Sequence, residues 1–210
     1  MKFSIIVPHY DSTINDFMFI RGMTSLKNQI IDKNQYEVIV IHDGPVTRKI
    51  PSIYETMSNC KVLVTEERKN DWGHSSRDLG IKIGVGDYCL FFNPDNILYP
   101  NALEVIANKI DEESYIPNDI ILYPILMRGM ESDGTMYWRN RNDMSKFTIF
   151  TGLPPIKNNI DCMQLVMKRE NWNKKNGWYD KSEESDGNMY PALVSEYKAR
   201  CCNQILGEHW

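Results

Sequence analysis

The sequence lacks any long hydrophobic run. Nothing in it approaches the ~20 consecutive apolar residues that a transmembrane helix requires. The apolar opening from Phe3 to Pro8 is also too short for the core of a signal peptide. Basic residues number 24 and acidic residues 28, and neither sign forms a block. We therefore expect a cytoplasmic protein, or one on the cytosolic face of a membrane, with no membrane span and no nucleic-acid partner.

Motifs for a disulfide framework, for zinc and for glycine-rich phosphate binding are absent as well. The five cysteines are odd in number and form no C-x-x-C pair, so reduced thiols are expected. No G-x-G-x-x-G follows the first apolar run, and no G-x-x-x-x-G-K-[ST] occurs anywhere. A nucleotide would therefore have to be held by acidic and aromatic side chains together with a divalent cation.

The first half contains four short apolar runs rich in β-branched residues. Each is nearly continuous rather than alternating, as in strands that are buried on both faces. The runs cover residues 3–10, 36–44, 61–67 and 87–92, and helices are predicted for 13–31, 47–58, 74–84 and 100–110. This alternation predicts an α/β fold with a mostly parallel central sheet and helices on both of its faces.

The second half is predicted to add antiparallel strands to that sheet. Strands are predicted for residues 120–129, 135–139, 161–170 and 204–209, with a turn at Asp133-Gly134, a helix within 183–199 and a mobile loop at 139–160. The length of 210 residues suits a single domain. We divide it into a nucleotide-sugar-binding half, residues 1–110, and an acceptor and metal half, residues 111–210.

Polar residues follow each of the four runs in the first half. They are His9-Tyr10-Asp11, His42-Asp43-Gly44, Glu66-Glu67-Arg68 and Asn93-Pro94-Asp95-Asn96. In an open parallel sheet, ligands bind outside the carboxyl ends of the strands, so these residues are expected to converge on one site. A carboxylate such as Asp95 repels a pyrophosphate unless a hard cation bridges the two, which again predicts a metal ion.

Three blocks of the first half resemble a known family. SIIVPHYD, VIVIHDGP and SSRDLGIKIGVGDYCLFFNPDN are similar, in order and spacing, to blocks of the inverting, family-2-like glycosyltransferases of GT-A fold. That family has an apolar run with Pro-x-Tyr-Asn, an Asp-Asp-Gly-Ser turn, and an Ala-Arg-Asn-x-Gly helix leading to Asp-x-Asp. The resemblance covers residues 1–110 and implies a Rossmann-like GT-A fold and sugar transfer from a UDP-sugar donor to a saccharide or other hydroxyl acceptor.

The resemblance also implies roles for individual residues. Pro8, Tyr10 and Asp11 would border the uridine, Asp43 would hydrogen-bond the uracil or ribose, and Arg77, Asp78 and Asn93 would lie beside the nucleotide or donor sugar. Asp95 would hold Mn²⁺ or Mg²⁺ against the diphosphate. Trp72 and Trp210 are the tryptophans expected to stack on a sugar, because sugars present apolar faces to aromatic rings.

Three positions depart from the family pattern. Asp11 replaces an Asn, His42 replaces the first Asp of the Asp-Asp-Gly turn, and Asn93 replaces the first carboxylate of Asp-x-Asp. A single carboxylate holds a divalent ion weakly, so a further protein ligand is expected. The resemblance points to His209, with Glu208 as its rival.

The catalytic base is sought among acids of the second half. An inverting transfer needs a carboxylate that takes the proton of the acceptor hydroxyl. Glu183, Glu184 and Asp186 lie where the resemblance places it, and we favour Asp186. Asp161 is a second acidic candidate at the catalytic site, for binding donor or acceptor hydroxyls. A retaining enzyme would need no such base.

Two alternatives remain open, and so does the extent of the protein. A nucleotidyltransferase is disfavoured because no Gly-rich phosphate loop with a basic residue follows the first strand. A non-catalytic nucleotide-sugar-binding module is suggested by the missing carboxylates. Because the family usually has more chain after the metal histidine, we expect a domain of a longer protein, whose other parts would supply further domains.

Overall fold

The computed structural model describes residues 1–11, 16–112, 119–132, 137–140, 142–175, 177–178, 180–197 and 199–210. Its strands are β1 Phe3–His9, β2 Tyr36–His42, β3 Cys60–Val64, β4 Tyr88–Phe91, β5 Ile97–Leu98, β6 Ile120–Leu122, β7 Ile125–Arg128, β8 Met130–Ser132, β9 Tyr137–Arg139, β10 Phe147–Phe150, β11 Leu165–Lys168, β12 Ala199–Cys201 and β13 Gly207–His209. Its helices are α1 Asp16–Lys27, α2 His74–Ile83, α3 Ala102–Asp111, α4 Arg169–Lys174 and α5 Ser185–Glu196. The turn predicted at Asp133-Gly134 lies outside the described residues. Among the helices in those ranges, none is long and apolar enough to cross a membrane.

The main sheet has the order β12-β6-β11-β4-β1-β2-β3 in the described chain. Strand β1 pairs in parallel with both β2 and β4, and β11 is antiparallel to its two neighbours. Since β12 is parallel to β6, all strands except β11 run in one direction. The predicted mostly parallel sheet with an antiparallel addition is therefore confirmed.

Helices cover both faces of this sheet, as predicted. Alternating β1 side chains point to opposite faces, so Val7 joins one buried cluster and Ile6 the other. Apolar residues of α1 and α3 pack on the Val7 face, and residues of α2, α4 and α5 pack on the Ile6 face. The two layers of helices leave the carboxyl ends of the strands to be covered by loops.

A smaller sheet with the order β10-β7-β13-β5 closes one end of the described structure. The run 120–129, predicted as one strand, is split at Tyr123-Pro124 into β6 and β7, which belong to different sheets. Proline has no N–H to donate to a ladder, so the strand breaks there. Strand β13 pairs in parallel with β7 and antiparallel with β5, with Glu208 opposite Ile97. This register brings the last residues of the chain to the turn that follows β4.

Several other predicted elements were wrong in type or extent. The segment 47–58 forms only a short 3-10 turn, Ser52–Thr56, after Pro51, instead of a crossover helix. The predicted strand 161–170 begins with a 3-10 turn that is capped by Asp161, and only Leu165–Lys168 is extended. The supposed loop 139–160 contains β10, and β12 was not predicted. Pro51 disfavours helix at the residue before it, the Asp161 cap starts the second segment as a 3-10 turn, and pairing with β7 and β6 makes β10 and β12 extended.

Candidate active site

The carboxyl ends of β1, β2 and β4 meet at one edge of the main sheet. His9 and His42 are paired at the ends of β1 and β2, and the Asp43 N–H donates to the His9 carbonyl at 2.8 Å. On the other side of β1, the Phe92 N–H donates to the Ile6 carbonyl at 2.9 Å. Three of the four strand ends that were identified from the sequence as carrying polar residues are therefore neighbours.

Asp43 organises the loop of residues 69–73. Its two carboxylate oxygens accept hydrogen bonds from the backbone N–H groups of Lys69 at 2.9 Å and Asn70 at 3.0 Å. Asn70, Trp72 and Gly73 have positive φ angles, a conformation that is costly for residues other than glycine and that often marks ligand sites. The Trp72 side chain is 61% exposed at this loop, where a ligand can reach it.

Two of the departures from the family pattern turn out to be partners. His42 Nε2 lies 3.0 Å from Asp11 Oδ1, and His42 Nδ1 lies 2.8 Å from the Gly44 carbonyl oxygen. The other oxygen of Asp11 accepts hydrogen bonds from the backbone and hydroxyl of Thr47. These bonds, chiefly those from Thr47, hold the pKa of Asp11 well below its usual range. The two residues that depart from the family pattern here, the acid at 11 and the imidazole at 42, therefore hold each other in place.

His9, Tyr10 and Pro8 complete this side of the site. The His9 ring centroid lies 5.1 Å from that of His42, and burial together with His42 lowers the pKa of His9 to about 4. Tyr10 is exposed, with the Arg68 guanidinium 4.9 Å from its ring centroid. Pro8 packs so close to Gly73 that a Cβ at residue 73 would lie 2.9 Å from the Pro8 Cβ. We refer to Asp11, His42, Asp43 and residues 69–73 as the loop cluster.

Arg77, on α2, links the loop cluster to the turn after β4. Its Nη1 donates to the Trp72 carbonyl and its Nη2 to Asn93 Oδ1, both at 2.9 Å. The side chain is buried below the Trp178 ring, 5.4 Å from its centroid. Burial alone would lower the pKa of Arg77, but nearby groups, with Tyr190 first among them, raise it overall. Asn93, which lacks the expected charge, thus serves as an acceptor for a buried cation.

Asp78, the next residue on α2, contacts a different segment. It accepts hydrogen bonds from the Trp178 N–H at 2.9 Å, from Trp172 Nε1 at 3.3 Å and from Lys181 Nζ at 2.7 Å. These contacts fix the segment before α5. The predicted role of Asp78 beside the donor stays a prediction.

Asp95 lies in a turn that β13 approaches from the other end of the chain. The Asn96 N–H donates to the Asn93 carbonyl at 3.0 Å and closes the turn. Because β13 pairs with β5, which follows this turn, the end of β13 with His209 runs toward the turn. The Trp210 N–H lies 3.4 Å from Asn96 Oδ1. Two residues that are far apart in sequence, Asp95 and His209, are thereby brought to the same end of the sheet.

His209 is paired with Asp161, the cap of the 3-10 turn before β11. His209 Nδ1 lies 3.0 Å from Asp161 Oδ2, while Asp161 Oδ1 accepts the Met163 N–H at 3.0 Å. Burial would raise the pKa of Asp161, but the charge and hydrogen bond of His209 outweigh it and lower that pKa. A carboxylate on one ring nitrogen is the usual way in which a metal-binding histidine is oriented. We refer to Asp95, Asp161, His209 and Trp210 as the β13 cluster.

Glu208, the rival of His209 as a metal ligand, is occupied by other side chains. It accepts two hydrogen bonds from Arg128, at 2.9 and 3.1 Å, one from Tyr99 at 2.9 Å and one from Trp210 Nε1 at 3.0 Å. Within the described ranges, no three histidine, cysteine, aspartate or glutamate side chains are grouped so that they could hold a metal ion unaided.

A comparison with protein families shows to which family this fold belongs. The model of the family described as "Glycosyl transferase family 2" matches residues 4–173. The chain belongs to this family. The resemblance seen in the first half thus extends through β11 and α4, and the predicted GT-A fold is confirmed.

Individual family-2 relatives match parts of the chain. TarS of Staphylococcus aureus, a poly(ribitol-phosphate) beta-N-acetylglucosaminyltransferase, is 27% identical over 135 residues, which is 64% of this chain and 22% of TarS. An uncharacterized glycosyltransferase of Rickettsia bellii is 33% identical over 115 residues, 55% of this chain and 16% of the relative. The matched region therefore spans about a fifth or less of these curated relatives.

Solved glycosyltransferase structures share the fold. S. aureus TarS 1-349 in complex with UDP-GlcNAc superposes with a TM-score of 0.71 at 20% identity, covering 100% of this chain and 58% of that one. The mannosyltransferase PcManGT of Pyrobaculum calidifontis, in complex with GDP-Man and Mn²⁺, gives a TM-score of 0.65 at 13% identity, covering 99% and 56%.

In this family-2 chain, the acids proposed as the base differ in their surroundings. Glu183 and Glu184 are exposed, and Glu184 pairs with Lys157 at 2.6 Å. Asp186 is half-buried in the first turn of α5, where it is one of the charges that raise the pKa of Arg77. Gly187 lets the chain approach closely here, because a Cβ would lie 2.0 Å from Asn158 Oδ1.

The sequence reasoning missed residues that hold the family-2 site together. Ser185 accepts a hydrogen bond from Trp178 Nε1 at 2.6 Å and lies 2.8 Å from His74 Nε2. The hydrogen-bonded network around Glu208 was not foreseen either. Arg21 was not among the predicted site residues, although its Nη2 donates to the Asp95 carbonyl at 2.7 Å. No local signal marks these roles, because each depends on a partner that is distant in sequence.

Proposed function

We propose that this chain is the catalytic domain of a glycosyltransferase that moves a hexose-type sugar from a UDP-sugar to a hydroxyl of a saccharide or other glycan acceptor, with a divalent metal ion. The observation that carries the proposal is the meeting of the loop cluster, Arg77, Asp186 and the β13 cluster at one edge of the sheet. Family membership and the UDP-GlcNAc complex of a structural relative support it. An N-acetylhexosamine is the first sugar to test.

The loop cluster would hold the nucleotide. Tyr10 and Trp72 offer exposed aromatic faces, and Asp11 and Asp43 fix the loops that carry or neighbour them. Because these loops are held by hydrogen bonds to backbone groups, the site is organised before a ligand arrives, which lowers the entropy lost on binding.

A divalent ion would be held by Asp95 and His209 only together with the donor. Mg²⁺ and similar ions are commonly bound by one or two carboxylates plus the phosphates of the substrate. That donor set fits a chain in which no complete protein site is found among the described residues. When bound, the ion would supply Lewis-acid stabilisation of the departing diphosphate. Asp161 would orient His209 rather than act as the base, because both of its oxygens are engaged.

Asp186 would take the proton of the acceptor hydroxyl. It stands at the start of α5, close to Arg77 and Tyr190, whose pKa values both respond to its charge. In an inverting transfer the acceptor oxygen attacks the sugar carbon on the face opposite the diphosphate, and a carboxylate base there assists the attack. The half-buried position favours Asp186 over the exposed Glu183 and Glu184.

The loss of the first Asp-x-Asp carboxylate at Asn93 motivates one second candidate, a non-catalytic module that binds a nucleotide sugar. The contact between Asp11 and His42 argues against simple decay of the site, since two residues that depart from the family pattern hold each other in place.

The deciding experiment measures UDP release from a panel of UDP-sugars, with Mn²⁺ or with EDTA, in the presence of saccharide and poly(ribitol-phosphate) acceptors. We expect metal-dependent release that Asp95→Ala lowers about 10²- to 10³-fold, as when one preorganised charge contact of a transition state is removed. Asp87→Ala, which removes an exposed acid before β4, is the matched control and should leave release unchanged. Binding of UDP-sugars without release, with any acceptor, would favour the non-catalytic module.

A further inference from the structure

Helix α1 packs directly on the turn that carries Asp95. A Cβ at Gly22 would lie 2.1 Å from the Pro94 carbonyl oxygen and 3.0 Å from that of Asn96. No side chain fits between the helix and the turn, so the position of α1 sets the position of the turn backbone. Arg21 precedes Gly22 on α1, so its side chain reaches the same turn from a backbone position that is fixed.

Arg21 contacts both the turn and the end of β13. Its Nη2 donates a hydrogen bond to the Asp95 carbonyl at 2.7 Å, and its guanidinium carbon lies 4.1 Å from the centroid of the Trp210 ring. Burial lowers the pKa of Arg21, and the carboxylates of Asp95 and Glu208 oppose that effect. An arginine can make both contacts at once because its planar fork donates at the edge while its face stacks on an aromatic ring.

Trp210 is itself held by contacts other than the one with Arg21. Its indole Nε1 donates to Glu208 at 3.0 Å, and the Arg128 guanidinium lies 5.6 Å from its ring. Glu208 in turn is fixed by its bidentate pairing with Arg128. The residue adjacent to His209 is thus locked in place, and Arg21 connects it to the residue that follows Pro94.

We propose that Arg21 is a positioning residue that couples the Asp95 turn to the end of β13, so that Asp95 and His209 are held at the spacing that a metal ion and a diphosphate require. This rests on the proposed function. The two proposed ligands are far apart in the sequence, and Arg21 touches the backbone of one and the neighbour of the other. Supporting residues of this kind commonly change metal affinity or activity about 10- to 100-fold when they are removed.

The test measures the Mn²⁺ concentration that half-saturates UDP binding, by titration calorimetry on the intact chain. Arg21→Met removes the hydrogen bond and the charge, and we expect it to raise that concentration about 10- to 100-fold. Arg21→Lys keeps the charge and one donor but lacks the planar face, so an intermediate value is expected. A residue needed only for packing would lower the melting temperature without moving the Mn²⁺ requirement.

Arg169→Met is the matched control. Arg169 Nε also donates to a backbone carbonyl, that of Gly86 at 2.9 Å, but at the opposite end of β4. Its removal should leave the Mn²⁺ requirement unchanged. If Arg21→Met does not fold, Arg21→Lys replaces it in the test, and a raised Mn²⁺ requirement is again the expected result.

Each outcome separates this inference from the proposed function. If Asp95→Ala abolishes the Mn²⁺ dependence and the Arg21 variants behave as the wild type, the positioning role is refuted while the proposed function stands. If Asp95→Ala is also without effect, the metal site itself fails and the role of Arg21 fails with it. A raised Mn²⁺ requirement in the Arg21 variants alone, with Arg169→Met normal, supports the coupling.

Discussion

The loop cluster and the β13 cluster are built by different kinds of contact. In the loop cluster, carboxylates accept hydrogen bonds from backbone N–H groups, as Asp43 does from Lys69 and Asn70. In the β13 cluster, side chains from separate elements hold one another, as His209 and Asp161 do. The first depends on loop conformation, whereas the second depends on the correct assembly of the whole fold.

This difference predicts which substitutions should affect donor binding and which should affect metal binding. A loop fixed by two charge-assisted hydrogen bonds keeps its shape when distant packing is perturbed. The relative position of Asp95 and His209 depends on α1, β13 and the turn after β4, so it shifts when any of those elements moves. Donor affinity and metal dependence should therefore respond to different substitutions.

The largest effect is expected for Asp186, which belongs to neither cluster. Its substitution should slow sugar transfer without changing the binding of UDP or of Mn²⁺. Asp186→Asn keeps the size of the side chain but cannot accept the proton of the acceptor hydroxyl. We expect the rate of sugar transfer to fall about 10²- to 10⁴-fold, the usual contribution of a general base. UDP affinity and the Mn²⁺ requirement should stay at wild-type values, as measured by calorimetry.

Glu183→Gln is the matched control for that prediction, because Glu183 is exposed just before α5. It should retain full activity. If Glu183→Gln slowed transfer and Asp186→Asn did not, the base would have been assigned to the wrong acid of this segment.

A smaller effect, on donor affinity, should follow from Asp43→Asn. An amide in place of the carboxylate can accept only one of the two N–H groups of Lys69 and Asn70, and its own NH₂ faces the other. One unpaired buried donor costs about 1–3 kcal/mol. Because the loop would shift to relieve it, UDP binding should weaken about tenfold, roughly 1.4 kcal/mol, in calorimetry. An increased Mn²⁺ requirement in this variant would show that the two clusters are not independent.

The sequence predicted the loop cluster better than the β13 cluster for a physical reason. Strands β1, β2 and β4 are local apolar runs, and the residues that follow them must lie at the same edge of a parallel sheet. Their positions could therefore be deduced without distant contacts. The helix predicted for residues 47–58 was wrong because Pro51 interrupts the segment. The few residues that remain after it form a single 3-10 turn.

The β13 cluster could not be deduced from local pattern. The break at Pro124 sends β7 to a second sheet, and the pairing of β13 with both β7 and β5 follows from that rearrangement. His209 was named only through the family resemblance. Arg21 looks like an ordinary helix residue, since nothing near it in sequence indicates a carbonyl acceptor at Asp95.

A last effect, on stability alone and with no expected change in activity at neutral pH, should distinguish the two clusters by pH. His9 lies beside the loop cluster, and its pKa is lowered from the usual 6.5 to about 4. Between these two pH values the unfolded chain binds a proton at His9 while the folded chain does not. The free energy of unfolding should therefore decrease as the pH falls from 6.5 to 4, by up to about 3 kcal/mol from this residue. Asp161 of the β13 cluster behaves differently. Its pKa is lowered from 3.8, so its contribution is present above that pH and is lost only as the pH falls further.

Urea unfolding at a series of pH values checks this, comparing the wild type with His9→Gln. The variant should lose less stability than the wild type between pH 6.5 and 4. Each protein is compared with its own value at pH 8, where His9 is neutral in both folded and unfolded chains. Parallel curves for His9→Gln and the wild type would mean that His9 titrates normally in the folded protein, and that the loop cluster is more open to water than its contacts indicate.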